Sequence, residues 1–280
     1  MRRNNEERFA RSQKTYAGPE PKQQKTQQRR ATYEVPTDFV KLPSEGRFYP
    51  EKHPLYKVEE IEVSFMTTKQ EDILVSPALN KKGIVFERLI ESLMISHNIN
   101  ADTLLEGDRN AILVNARKNA YGDVYKSLGV CTECFETFDI EADLNEAEFK
   151  ELEDTEITEN GTFVVQLPRL GARVELKLYT GKNREEIRKR YERKQKNDLP
   201  ESPITDSLRQ MIVSVDGQND VFFLTDFIGK IPPIDTRFIL ENHRKLTPDI
   251  NVSYETECEA CSTVNKGGIA IDGNFFWFNE

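Results

Sequence analysis

Four cysteines are the residues of this chain best suited to chemistry. They fall in two C-x-x-C pairs, Cys131-Thr132-Glu133-Cys134 and Cys258-Glu259-Ala260-Cys261. Two thiolates on one tight turn can reach the same ion, and two such turns supply the four ligands of a tetrahedral zinc site. Soft thiolates also hold iron, but zinc is the expected metal. A four-thiolate site leaves no open coordination position, so it would be structural and not catalytic. Cys134 and Cys258 stand 124 positions apart, long for a zinc ribbon, so a large insertion has to bring the chain back to the first pair. A redox role is disfavoured, because neither pair lies in a βαβ pattern.

No second set of residues competes with the cysteines. His53, His97 and His243 occur in unrelated local settings and read as surface or satisfied polar residues. The chain has no G-x-S-x-G, no H-E-x-x-H and no P-loop. The acidic run over 141–160 lacks the ligand order and turn glycine of a calcium loop and reads as a solvated face. Gly267-Gly268 reads as a turn.

The elements that must position the pairs follow from periodicity. Tyr125, Leu128 and Val130 lead into the first pair, and Phe135, Phe138 and Ile140 lead out, the pattern of a hairpin with the cysteines at its tip. Val252 and Tyr254 lead into the second pair, with Ile269, Ile271, Phe275 and Phe276 after it. Upstream, Ile61, Val63 and Phe65 alternate with polar residues as a strand, and Thr67 or Thr68 caps a helix. Residues 84–96 show helical spacing. A further helix ends at Tyr121-Gly122, with Ile112, Leu113 and Ala116 facing in and Arg109, Lys118 and Asn119 facing out. A short helix is expected around Leu144, Phe149 and Leu152, and a hairpin over Thr162–Tyr179. A highly charged helix follows to about Lys196, then a linker, a helix from Ile204 to Met211 and a strand from Ile212 to Val215. Two more helices are expected, Val221–Ile228 and Thr236–Lys245, the second capped by Asp235.

The chain has 280 residues, 37% apolar and 31% charged, with a net charge of -9. Residues 1–30 carry nine Lys or Arg against three acids, so the rest of the chain is strongly acidic. That balance argues against a large nucleic-acid surface, which needs clustered Lys and Arg, although the basic segment 1–30 keeps a small one open. No apolar run is long enough for a membrane span, and no secretory signal is expected at the start. Residues 1–32 are poor in apolar anchors and are expected to be a disordered basic tail. The expected fold class over 33–280 is α+β: mixed helices and antiparallel hairpins with a zinc-ribbon-like four-cysteine site joining two sequence-distant β-hairpins. Residues 124–140 and 250–278 form its composite ribbon subdomain.

Several stretches in order carry a resemblance. They are Leu42-Pro43-Ser44-Glu45-Gly46-Arg47-Phe48-Tyr49-Pro50, then Phe65-Met66-Thr67-Thr68-Lys69-Gln70-Glu71-Asp72-Ile73-Leu74. Next come Leu105-Glu106-Gly107-Asp108-Arg109-Asn110 with Ala116-Arg117 and Tyr121-Gly122, then Phe163-Val164-Val165-Gln166-Leu167-Pro168, and Leu176-Lys177-Leu178-Tyr179-Thr180-Gly181. Together they resemble the baseplate hub proteins of T-even-like contractile-tailed bacteriophages, over roughly residues 40–195. The resemblance implies a non-enzymatic structural or assembly role, binding other phage tail and baseplate hub proteins, in the virion tail or in the host cytoplasm during assembly. The alternative from the cysteines and the basic stretches is a zinc-ribbon nucleic-acid-binding or transcription-related factor.

Overall fold

The computed structural model describes residues 34–96, 98–272 and 274–277. The expected disordered tail and His97 lie outside them. Among the described residues the fold is α+β, with eight α-helices and antiparallel strand pairs.

Alternation builds the first sheet. β1 (Thr37–Lys41) pairs with β2 (Glu60–Ser64), burying Val40, Ile61 and Val63 and exposing Glu60 and Glu62. Helix α1 (Thr68–Leu74) starts at Thr67, whose N–H and hydroxyl both donate to Gln70 Oε1, so the expected cap is there. α2 (Pro77–Lys82) is a helix the periodicity did not show, since it buries no residue. α3 (Val85–Leu93) turns Val85, Leu89, Ile90 and Leu93 inward.

The centre is α4 (Glu106–Tyr121). Ile112, Leu113 and Ala116 are buried as their spacing requires, but so are three of its charged residues. Arg109 does not face out: Glu87 of α3 lies 2.8 Å from its Nη2 and compensates the loss of water. Asp108 is fully buried with neutral donors only. It accepts from the Ser44 N–H at 3.0 Å, the Ser44 hydroxyl at 2.6 Å and the Tyr49 hydroxyl at 2.7 Å. Those hydroxyls in turn accept the N–H groups of Gly46 and Leu105. Burial pushes the Asp108 carboxyl up from its ordinary value, with the three donors opposing. The loop 42–50 is thus fixed to the start of α4 by a complete polar relay, and Gly46 takes the expected left-handed turn at φ +69°. The third buried charge, Arg117, donates from Nε to the Phe275 carbonyl at 2.6 Å and lies over the rings of Tyr125 and Phe275.

After α4 the chain runs out through β3 (Val124–Val130) and back through β4 (Thr137–Asp143). The acidic run that follows is not the expected short helix. It makes one 3-10 turn at Leu144–Glu146 and then β5 (Glu148–Phe149), which pairs with β9 (Ile250–Asn251). Leu144 is buried and Phe149 exposed, so the apolar residues there serve different contacts and not one helical face. β6 (Phe163–Gln166) and β7 (Arg173–Leu176) form the expected hairpin, extended by β8 (Ile212–Val215). The charged helix α5 (Gly181–Lys196) and α6 (Pro203–Met211) precede β8, and α7 (Val221–Lys230) and α8 (Pro233–Leu246) follow it. Asp235 is not the cap of α8, which starts at Pro233. It is buried and accepts the N–H groups of Arg169 and Leu170, holding the β6–β7 turn to the helix.

The chain then leaves the body again as β10 (Ser253–Glu257) and β11 (Val264–Gly268). Both excursions are rooted in the main core. Tyr125 stacks on Phe275 at 5.4 Å, and Val252 is buried just before β10. Phe275 and Phe276 therefore belong to the body's core and not to the ribbon. No helix among the described residues is long and apolar enough to cross a membrane.

Candidate metal centre

The two excursions are built alike. β3 and β4 pair from Val124↔Asp143 to Val130↔Thr137, and β10 and β11 from Ser253↔Gly268 to Glu257↔Val264. Each hairpin ends in the same turn. The first cysteine of each pair donates its N–H across the turn, Cys131 to the Glu136 carbonyl and Cys258 to that of Thr263, both at 2.9 Å. Each also accepts at its carbonyl, from the N–H of Phe135 at 3.1 Å and of Ser262 at 2.8 Å. The residue after the second cysteine is left-handed in both, Phe135 at φ +62° and Ser262 at φ +58°. Side chains resist that region by about 1 kcal/mol or more per residue, so two such residues need an interaction that holds them there.

The inner faces pack on each other. Phe138 and Tyr254 lie 6.3 Å apart, ring to ring. Each ring covers a glycine on the facing strand, Gly129 opposite Phe138 and Gly267 opposite Tyr254. A Cβ at Gly129 would come 2.7 Å from the Phe138 ring, and one at Gly267 2.8 Å from the Tyr254 hydroxyl. Gly267-Gly268 is thus part of a strand and not the expected turn, its glycine needed for the close ring contact.

This packing brings all four cysteines together. Cys131 Sγ lies 3.6 Å from Cys261 Sγ, and Cys134 Sγ 3.6 Å from Cys258 Sγ. All four sulfurs lie within 4.8 Å of one another. A disulfide needs about 2.05 Å. Four sulfurs about 2.3 Å from a central zinc would stand about 3.8 Å apart, near the two 3.6 Å separations here. Cys131 and Cys258 are buried, Cys134 is half-buried and Cys261 exposed.

The thiols do not share one protonation state. The N–H groups of Cys134 and Glu133 point at the Cys131 sulfur and bring it down to about 6. For Cys134 the Glu136 N–H acts downward, but the Cys261 sulfur, burial and the sulfurs of Cys258 and Cys131 push it up to about 12. The Thr263 hydroxyl and N–H lower Cys261. One corner ionises easily while another resists, as expected where anions crowd; four thiolates together require a cation among them.

Asn265 completes the site and was not singled out by the sequence. It is buried, its Oδ1 accepts the Thr132 N–H at 3.2 Å, and its Nδ2 lies 3.6 Å from Cys131 Sγ. One amide from the second hairpin so clips the first turn and supports a first-turn sulfur. The available signal was a lone polar residue at an inward position of β11, opposite Thr256.

Among the described residues no other cluster of His, Cys, Asp and Glu could hold a metal. His53 bonds Thr103 Oγ1 at 2.9 Å and stacks on Tyr49. His243 is buried against Tyr179. His53 is a satisfied side chain, as expected, whereas the buried His243 reaches Thr247 Oγ1 through Nδ1 at 3.3 Å and leaves its Nε2 without a hydrogen-bond partner among the described residues. No curated protein and no solved structure matches the chain. A family model described as T4 bacteriophage base plate protein matches residues 35–277, which take in the body and both cysteine pairs, and the chain therefore belongs to that family of phage baseplate proteins.

Proposed function

We propose that the chain is a non-enzymatic structural or assembly protein of the baseplate hub, acting by protein–protein binding, with one structural Zn2+ held by Cys131, Cys134, Cys258 and Cys261. The observation that carries the metal is the convergence of four sulfurs from two hairpins. The ion would take the charge that the crowded thiolates cannot hold alone and would fasten chain segments that no shared β-ladder joins. Family membership supports the baseplate setting and partners among the other tail proteins. The hub position follows from the stretches that resemble hub proteins.

The nucleic-acid reading is the weaker one. In the first hairpin Glu133, Glu136, Asp139, Glu141 and Asp143 stand against Lys126 alone, and Glu255, Glu257 and Glu259 add to the acidity in the second. Such a surface repels phosphates. The test is affinity purification from cells producing the tail. Recovery of baseplate hub proteins is the expected result. Recovery of nucleic acid in a salt-dependent manner without tail proteins would replace this reading with the other.

A further inference from the structure

The ribbon has an open edge, and the residues along it are unlike those of a protected one. Among the described residues β3 pairs only with β4. The ladder fixes which groups are used: Cys131 bonds Glu136 and Leu144 bonds Asp123, so the odd-numbered residues of β3 bond β4. The N–H and C=O groups of Val124, Lys126, Leu128 and Val130 therefore point away from β4, and no described residue meets them.

The side chains of those same four residues share the outer face. Val124 is 45% exposed, Leu128 54%, Val130 61%, and Phe135 at the tip 76%. Edge strands in soluble proteins are blunted by charge, proline or bulges, and Lys126 is the one such device here. Beside this apolar row runs an acidic one on β4. Asp143 stands opposite Val124, Glu141 opposite Lys126 and Asp139 opposite Leu128.

We propose that the β3 edge is a docking strand for an extended segment of another tail protein, one that alternates apolar residues with Lys or Arg. Strand addition would satisfy the outward backbone groups. Its apolar side chains would cover Val124, Leu128 and Val130. Its cations would reach Asp139 and Asp143 across β3, two strand spacings or about 10 Å away, within the length of a Lys or Arg side chain in contact with an acidic partner. The charge of the face selects such a segment over an acidic one. This proposal rests on the baseplate reading for the source of the partner but not on the identity of the metal.

The test places a photo-crosslinking residue at Leu128 of the full-length protein in cells producing the tail, with the captured peptides sequenced by mass spectrometry. A second crosslinker at exposed Leu199, in the loop after α5, gives the background. The expected result is capture of a tail-protein peptide of net positive charge with apolar residues in alternation. Lys126→Pro, which removes an outward N–H without touching the β3–β4 ladder, should reduce that capture to background. Metal content equal to that of the unsubstituted protein shows that the ribbon is still folded. Capture unchanged by Lys126→Pro, capture of peptides without net positive charge, or no capture above the Leu199 background in a metal-loaded protein would each overturn the docking strand. Loss of metal from the unsubstituted protein would instead count against the zinc reading.

Discussion

The body around α4 and the ribbon beyond it are held by different means. The body has a broad apolar core running from Val40 to Phe276, and its buried charges are each given specific partners. Asp108 has three donors, Arg109 has Glu87, and Arg117 has the Phe275 carbonyl and a surround of rings. The ribbon's buried apolar cluster consists of Cys131, Phe138, Ile140 and Cys258. Two of those four are proposed ligands. So small a core leaves little apolar stabilisation, and small units without enough core rely on staples. The comparison teaches that one chain can divide the work: packing determines the shape of the body, while ligand chemistry determines whether the ribbon exists.

Metal removal should separate the two regions most. Structural zinc in small units contributes on the order of 10 kcal/mol. Chelation should abolish amide-exchange protection in β3, β4, β10 and β11 while α4 keeps its own. Equal loss in both regions would mean that the division is wrong. Asp108→Ala should do the reverse. It leaves two hydroxyls and the Ser44 N–H without their buried acceptor, at about 3–5 kcal/mol, and should lower the body's thermal midpoint with metal content unchanged.

Acid should also destabilise the body. Burial, and then the charge of Lys150, holds His243 down at about 4 against an ordinary 6.5. The stability tied to the neutral ring is present above pH 6.5 and is lost as pH falls towards 4, by about 3 kcal/mol in all. Denaturation midpoints of the metal-loaded protein between pH 7 and 5 should fall less in His243→Phe than in the unsubstituted chain. The smallest effect is expected from Gly129→Ala, which forces the Phe138 ring aside at roughly 1–3 kcal/mol. Its mark should be faster exchange in β3 and β4, with no change in the body's midpoint.

Legibility in the sequence follows the same division. The hairpins, their facing cysteines and most helices of the body could be read, because C-x-x-C spacing and apolar periodicity are local patterns. What could not be read depended on partners distant in sequence. Arg109 has the look of an outward residue until Glu87 arrives from α3, 22 positions away. Asp235 has the look of a helix cap, yet its acceptors are used by Arg169 and Leu170. Leu144, Phe149 and Leu152 in the acidic run suggest a helix, but Glu148 and Phe149 are drawn into a two-residue strand by Asn251 and Ile250. In the ribbon, the left-handed Phe135 and Ser262 have nothing local to distinguish them from ordinary turn residues, and the polar Asn265 at an inward strand position gains its meaning only from Thr132 and Cys131 on the other hairpin.

The central claim is that two sequence-distant pairs hold one ion. Metal content per chain, measured by mass spectrometry on purified unsubstituted protein, Cys131→Ser and Cys258→Ser, tests it most directly. The account predicts one zinc per unsubstituted chain and loss of that zinc from both variants, although the two cysteines lie on different hairpins. One zinc retained in either variant, or none bound by the unsubstituted chain, would contradict it.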